Sequence, residues 1–276
     1  MQNTLIASKS LRGGGLDSAG GLFHALGLSR SAFTLAEVLI TLSIIGIVAA
    51  MTLPTLIQKK QDKELISMTR KVYADINNAF LLSQQDYGVI GDNSFLFNAT
   101  DNALTIANNI AKYLNGAKVC EKASQKGCSQ YYYDIKYATL RVDSNNSGIV
   151  QTSNNDPKII FSNGAVLRIS TNKSGCASKE YTSNVVDEYG RPVKNPDGTN
   201  KTNTYTSSIC ANLFFDVNGN KQPNQFGRDA YWLWIYKNKV APGTDNHVGG
   251  KSFKNILTGK DKLEYENYSK GQKFEF

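Results

Sequence analysis

The stretch that decides the fold runs from Phe33 to Ile57 and reads FTLAEVLITLSIIGIVAAMTLPTLI. It carries one formal charge, at Glu37, and the next charged residue after it is Lys59. As a helix, a segment of this length extends roughly 37 Å, which exceeds the ~30 Å hydrocarbon core of a bilayer. No second stretch of the sequence approaches this length without charges. We therefore expect the chain to cross or anchor in a membrane once, with everything after this helix on one side of the membrane.

The overall composition is that of a chain with a globular domain. Of the 276 residues, 41% are hydrophobic and 20% are charged, which excludes a disordered, collagen-like or polytopic membrane protein. The formal net charge of +8 is spread along the chain, so a nucleic-acid partner is not expected. The chain has two histidines and no G-x-S-x-G, P-loop, H-E-x-x-H or dinucleotide motif. We therefore expect no enzymatic activity.

The residues around Phe33 resemble a known processing signal. Ser31-Ala32-Phe33-Thr34-Leu35-Ala36-Glu37-Val38 closely resembles the class III leader and N-terminal signature of type IV pilins and type II secretion pseudopilins. The resemblance implies that a prepilin peptidase removes residues 1–32 as a cytoplasmic leader, by cutting between Ala32 and Phe33, and then methylates the new amino group of Phe33. The family usually has Gly before the cut, where this chain has Ala32.

An ordinary secretory signal peptide is the alternative interpretation of the same stretch. Its apolar region would be Val38 to Val48, with a small-residue cleavage site at Ala49 and Ala50. However, Glu37 occupies a position where such signals have basic residues, and the apolar run continues to Ile57. Both observations favour the prepilin-type signal.

Glu37 and Pro54 are the residues of the apolar stretch to which the resemblance assigns a part in assembly. After cleavage, the amino group of Phe33 lies four residues before Glu37 and can pair with Glu37 of its own or a neighbouring chain. Such a pair would set the axial register in a filament core, because removing one partner strands a buried charge. A Glu37 that only reaches back to the lipid headgroups is the alternative. Pro54 removes a helix hydrogen bond and is expected to kink or loosen the helix.

Residues 58–88 are predicted to continue the helix with a single apolar stripe. Leu65, Met68 and Val72 recur at three- and four-residue spacing between polar residues. A helix with one wholly apolar half and one amphipathic half resembles the first helix of a pilin, which packs its second half on a sheet. The alternative is an anchor helix and a separate domain helix, divided at Pro54.

Residues 89–276 are predicted to form an extracytoplasmic domain of helices and strands. A short helix is expected over 101–115, capped by Thr100 or Asp101. Strands are predicted at 131–142, 206–217 and 230–236, and a hairpin is predicted over 158–170 with its turn at Ser162-Asn163-Gly164. An exposed loop is predicted over 181–203 and a solvated tail over 251–273. The predicted fold is therefore α+β, with a long N-terminal helix packed on a C-terminal antiparallel sheet.

Four cysteines allow three disulfide pairings. Proximity in the sequence favours Cys120 with Cys128 and Cys176 with Cys210, and disulfides agree with an oxidising compartment. Each bond would stabilise the domain by roughly 2–4 kcal/mol through closure of a loop. A zinc site of four thiolates is the alternative, although the sequence has no C-x2-C pair.

Oxygen ligands are concentrated between the last two predicted strands. Asp216, Asn218, Asn220 and Asp229 are the candidate ligands for a hard cation such as Ca2+, which prefers carboxylate and amide oxygens. The segment also resembles a C-terminal loop of pseudopilin-like proteins, some of which bind calcium there. A loop held only by bonds from side chains to the backbone is the alternative.

Together these features predict a structural subunit. We expect a prepilin-type pseudopilin or minor pilin that assembles into a type II secretion pseudopilus or a type IV pilus-like filament. The resemblance implies as partners a prepilin peptidase, other pilin or pseudopilin subunits, an assembly platform protein and the inner membrane. Before assembly the subunit would cross the inner membrane once, with its globular domain in the periplasm. The alternative is a binding module, an adhesin or DNA-uptake receptor, tethered to the membrane or to a pilus tip.

Overall fold

The computed structural model describes residues 33–136, 150–151, 156–171, 175–185, 192–243 and 253–265. The chain divides into two units, Met1–Leu53 and Pro54–Phe276. Helix α1 (Leu35–Asp86) contributes to both units and contains Pro54. Its bounds agree with the helix that the apolar stretch and the amphipathic stripe predict.

The first unit exposes its apolar side chains. Phe33 is 84% exposed, Leu35 is 77% exposed and Met51 is 72% exposed. Among the described residues, α1 is the one helix that is long and apolar enough to cross a membrane, and its most apolar window has no buried residue. Monomeric soluble proteins rarely expose a contiguous apolar surface of this extent, so lipid or other subunits are expected to cover it.

In its described residues, the second unit contains the remainder of α1, two short α-helices and ten strands. These elements are α2 (Ala103–Ala111), β1 (Lys118–Cys120), β2 (Ile135–Lys136), β3 (Val150–Gln151), β4 (Lys158–Ile160), β5 (Val166–Thr171), β6 (Lys179–Asn184), β7 (Thr202–Ser207), β8 (Ile209–Asp216), β9 (Ala230–Tyr236), β10 (Val240–Pro242) and α3 (Phe253–Thr258). Short 3-10 turns at Ser94–Leu96 and Ser129–Tyr131 complete the order.

Six of the strands form one antiparallel sheet in the order β1-β4-β5-β8-β9-β10. Alternate residues of the central strands point to one face and are buried, as the period of two in a strand requires. On that face Leu167, Leu213 and Leu233 belong to the same buried cluster as Val72 and Ile76 of α1. The α+β prediction is therefore confirmed, as are the hairpin of β4 and β5 and the strand at β9.

The cap of α2 differs from the predicted one. The side-chain oxygen of Asn102 accepts a hydrogen bond from the Thr105 amide at 2.8 Å, so Asn102 is the N-cap rather than Thr100 or Asp101. Asn, Asp and Thr have similar N-cap preferences, and residue type alone therefore could not select the position.

The prediction of an exposed loop over 181–203 is wrong for its described ends. Strands β6 and β7 pair in an antiparallel ribbon separate from the main sheet, and the ribbon contains Tyr181 stacked on Tyr205 with ring centroids 5.8 Å apart. Most residues on both faces of the ribbon are polar and exposed, so the sequence lacks the apolar alternation by which strands are recognised. Residues 186–191 lie outside the described part of the chain.

Two further predictions also need correction. The solvated tail is wrong for residues 253–265, because Phe253, Ile256 and Leu263 are buried in the core and Arg70 Nη2 donates to the Leu257 carbonyl at 2.6 Å. The apolar residues of this segment are few and are separated by lysines, so the sequence shows no clear helical spacing of apolar residues. In the predicted strand 131–142, only β2 is extended in a ladder, and residues 137–142 lie outside the described residues.

Candidate functional site

The start of α1 is closed by reciprocal hydrogen bonds. The Thr34 amide donates to Glu37 Oε2 at 2.8 Å, and the Thr34 hydroxyl donates to the same oxygen at 2.9 Å. In return, the Glu37 amide donates to Thr34 Oγ1 at 3.2 Å. This arrangement is a capping box, in which Thr34 is the N-cap and Glu37 is the third helical residue. Phe33 therefore lies just outside the helix.

Glu37 is also the single ionisable group of the apolar part of α1. The hydroxyls of Thr41, Ser43 and Thr52 donate to helix carbonyls three or four residues earlier, at 3.0, 2.8 and 2.9 Å. Hydroxyls that bond back to their own helix need no external partner. A full charge on a helix that lies in a membrane is costly and usually marks a functional residue. Glu37 is therefore the residue of the apolar part of α1 that a partner of opposite charge would stabilise.

Both predicted disulfides are formed. Cys120 pairs with Cys128 and Cys176 pairs with Cys210, with Cα–Cα distances of 5.7 and 4.1 Å. All four cysteines are therefore used, which excludes the alternative zinc site of four thiolates. The second bond connects the two ends of the ribbon formed by β6 and β7, since Cys176 precedes β6 and Cys210 follows β7.

In the predicted cation loop, Asp229 has a structural task. Its side chain is fully buried, and its two carboxylate oxygens accept hydrogen bonds from the amides of Asn224 at 3.0 Å and Gln225 at 2.7 Å. These bonds hold the turn that precedes β9. Burial nevertheless raises the pKa of Asp229 to about 6, because the desolvation of the charged form outweighs the hydrogen bonds that favour it.

Asp216 at the end of β8 is less well satisfied. Its Oδ1 accepts a hydrogen bond from the Asn218 amide at 3.1 Å, whereas its Oδ2 is buried without a hydrogen-bond partner among the described residues. Burial raises the pKa of Asp216 well above its ordinary value, and the nearby Asp229 carboxylate raises it further. The Asn218 side-chain oxygen is likewise buried and unpartnered, while Asn220 is exposed.

The loop therefore fits a hard cation in part. The structure brings together Asp216, Asn218 and Asp229, and it leaves Asn220 at the surface. Among the described residues there is no group of three or more His, Cys, Asp and Glu side chains that could hold a metal ion. A cation here would take two carboxylates and complete its coordination with amide oxygens, backbone carbonyls or water.

A buried lysine, which no local sequence pattern indicates, lies on the face of the sheet opposite the one that packs on α1. Lys158 of β4 is 1% exposed and its Nζ has no hydrogen-bond partner among the described residues. It lines a cavity of about 20 Å³, room for roughly one water molecule. Burial lowers the pKa of Lys158 to about 7, and the neighbouring Arg168 lowers it further in the same direction. The other lining residues are Tyr131, Tyr133, Ile135, Val166, Arg168, Phe214 and Asp216.

Comparison with known proteins identifies the N-terminal segment. Residues 28–53 match the family model of the prokaryotic N-terminal methylation motif. This motif is the signature of the prepilin-type cleavage site in type IV pilins and pseudopilins, and proteins that carry it are generally structural. The match includes Ala32, Phe33 and Glu37 and ends one residue before Pro54. No curated protein and no solved structure matches the chain.

Proposed function

We propose that the chain is a pseudopilin or minor pilin that prepilin peptidase processes between Ala32 and Phe33, and that subunits assemble into a filament through α1. The methylation motif at residues 28–53 carries this proposal. The exposed apolar half of α1 supports it, because this surface requires either lipid or the helices of other subunits around it. The filament is a type II secretion pseudopilus or a type IV pilus-like fibre.

Cleavage would give Glu37 its partner. Removal of residues 1–32 creates an amino group on Phe33, within about one helical turn of the Glu37 carboxylate. Each subunit then carries one cation and one anion at the end of an otherwise uncharged apolar rod. In a filament core these charges can be desolvated only as a pair, so one axial register between neighbouring helices is favoured over the others.

The apolar helix and the disulfides indicate where the subunit is located in the cell. We propose that the subunit is anchored in the inner membrane by α1 before assembly, with residues 89–276 on the periplasmic side and an assembly platform protein as a partner. Two disulfides in this domain support an oxidising compartment. A domain that serves as an adhesin or DNA-uptake receptor would be processed in the same way, and this alternative stays a prediction.

The N-terminus of the mature protein tests the proposal. We expect intact-mass and N-terminal peptide analysis of the chain from its native membrane to show Phe33 as the first residue, with one added methyl group. Co-expression with an inactive prepilin peptidase is the control and should leave the leader in place. An intact leader beside active peptidase, or a cut at Ala49 or Ala50, contradicts the proposal.

We further propose that the loop between β8 and β9 binds a calcium ion. Two unpartnered buried oxygens, Asp216 Oδ2 and Asn218 Oδ1, support this proposal. The Asp229 carboxylate interacts electrostatically with Asp216, and a divalent cation would remove the unfavourable proximity of two buried anions. Calcium would act as a structural ion here, because it would connect the end of β8 to the turn before β9.

Thermal unfolding of the full-length chain in an uncharged detergent tests for this ion. At a calcium concentration about 100-fold above the Kd we expect the Tm to exceed that in EGTA by about 5–10 °C. Asp216→Asn should abolish the difference, and Asp134→Asn, at an exposed carboxylate, should leave it unchanged. Equal Tm values in calcium and EGTA, with no heat of binding by calorimetry, contradict the site.

A further inference from the structure

The capping box lies beside the bond that prepilin peptidase is proposed to cut. The first helical residue is Leu35, and Thr34 holds that boundary through its amide and its hydroxyl. Phe33 is outside the helix. The match to the methylation motif, over residues 28–53, includes this boundary.

We propose that the capping box of Thr34 and Glu37 is a positioning element for leader cleavage: it starts α1 at Leu35 and keeps Phe33, the residue that follows the cleaved bond, out of the helix. The inference rests on the proposed function, since it concerns the same cleavage. A peptidase must reach the backbone of its substrate, and in a helix the peptide groups are turned into the helix and bonded to one another. Proteolysis accordingly concentrates in non-helical segments.

The sequence contains a competing start for the helix. Ser31 has a strong preference for the N-cap position, and it stands three residues before Thr34. If Thr34 no longer caps, a helix that begins after Ser31 would include both Ala32 and Phe33 in its first turn. The cap at Thr34 therefore decides between a cleavage point that lies outside the helix and one that lies inside it.

Glu37 contributes to the cap and to assembly through different properties. The cap needs an acceptor oxygen at the third helical position, which a Gln supplies as well as a Glu does. Pairing with the amino group of Phe33 needs a negative charge, which Gln lacks. The two tasks of Glu37 can therefore be separated by one substitution.

Initial rates of leader removal test the inference. The full-length chain in detergent, with purified prepilin peptidase added, is followed by mass spectrometry. We expect Thr34→Val, which keeps the shape of the side chain and removes its hydroxyl, to be cleaved about fivefold more slowly than the wild type. Thr34→Ser and Thr34→Asn, both good N-caps, should be cleaved within about twofold of the wild-type rate.

A matched control and a second readout accompany these rates. Thr41→Val removes a hydroxyl from the same helix, where Thr41 donates to the Val38 carbonyl rather than capping, and should leave the rate unchanged. The ¹³Cα chemical shift of Phe33 in detergent micelles reports its backbone conformation without the peptidase. It should move towards the helical value in Thr34→Val and stay at the wild-type value in Thr34→Ser.

Two results would overturn the inference. One is Thr34→Val cleaved as fast as the wild type. The other is that Thr34→Ser and Thr34→Asn are cleaved as slowly as Thr34→Val. This result would mean that the peptidase recognises the Thr34 side chain directly. Failure of the wild-type chain itself to be cleaved contradicts the proposed function instead, so the two failures are distinguishable.

Discussion

Glu37→Gln is expected to reduce filament yield by at least about 100-fold while leader removal continues. The substitution keeps the size and the hydrogen-bonding capacity of the side chain and removes its charge. In the filament core the ammonium group of Phe33 would then be desolvated without a counter-charge. Removing one partner of a buried ion pair typically costs about 3–5 kcal/mol, and this cost would recur at every subunit added to the filament.

The measurement compares sheared or pelleted filaments with the total processed subunit in the same cells. N-terminal mass analysis confirms that the Glu37→Gln subunit has lost its leader, so that a processing defect is not mistaken for an assembly defect. Glu64→Gln is the matched control, because Glu64 lies on the same helix beyond the apolar stretch and is exposed. Filaments of Glu37→Gln at wild-type yield would show that the charge pair does not set the register.

Lys158→Met is expected to remove a large pH dependence of folding stability. Burial lowers the pKa of Lys158 to about 7 in the folded chain, against about 10.4 in an unfolded chain. Between these values the unfolded state binds more protons than the folded state, so stability rises with pH. From pH 7 to pH 9.5 we expect Lys158 to add roughly 2–4 kcal/mol to the free energy of unfolding.

The difference between wild type and variant isolates this contribution. Asp216 and Asp229 have raised pKa values, so their contributions to stability fall as the pH rises from the ordinary Asp pKa to the raised one, and for Asp229 this range ends at about pH 6, below the interval compared. The charged groups nearest to Lys158 are Arg168 and Asp156, which form an ion pair with each other. Asp216, Tyr131 and Tyr133 line the same cavity, and the ammonium of Lys158 lies over the ring of Tyr132.

Denaturant unfolding of the full-length chain in an uncharged detergent, at several pH values, supplies the measurement. The curve for Lys158→Met should be flatter than the wild-type curve, and the two should differ most at neutral pH. Lys126→Met, at an exposed lysine, serves as the control and should follow the wild type. Parallel curves for wild type and Lys158→Met would contradict the prediction.

Helix α1 and the central strands could be predicted from the sequence because one strong pattern governs each of them. Between Phe33 and Ile57 the one charged residue is Glu37 and most of the others are apolar, a composition that exposed helices of soluble proteins rarely have. Strand β9 is recognisable by its aromatic and aliphatic residues, and the hairpin of β4 and β5 by Ser162-Asn163-Gly164 at its turn. The disulfides followed from proximity, since the paired cysteines are separated by 8 and 34 residues in the sequence.

The missed features depend on partners that are distant in the sequence. The ribbon of β6 and β7 is stabilised by its own cross-strand pairs and has no buried face to reveal it. Phe253 and Ile256 become recognisable as core residues only once Tyr73 and Tyr231 are placed beside Phe253. Lys158 is buried because the segment that carries Tyr131 and Tyr133 packs over the face of the sheet on which Lys158 lies. No local sequence pattern around Lys158 predicts this packing.

The ribbon also affects how this protein can change over time. Its strands place no side chain in the core, and the bond between Cys176 and Cys210 joins its two ends beside the main sheet. Substitutions along β6 and β7, or insertions at the exposed turn around Gly198, therefore escape most of the selection that folding imposes on the rest of the domain. We therefore expect related sequences to vary most in this ribbon, and a peptide inserted at its exposed turn to leave the domain folded.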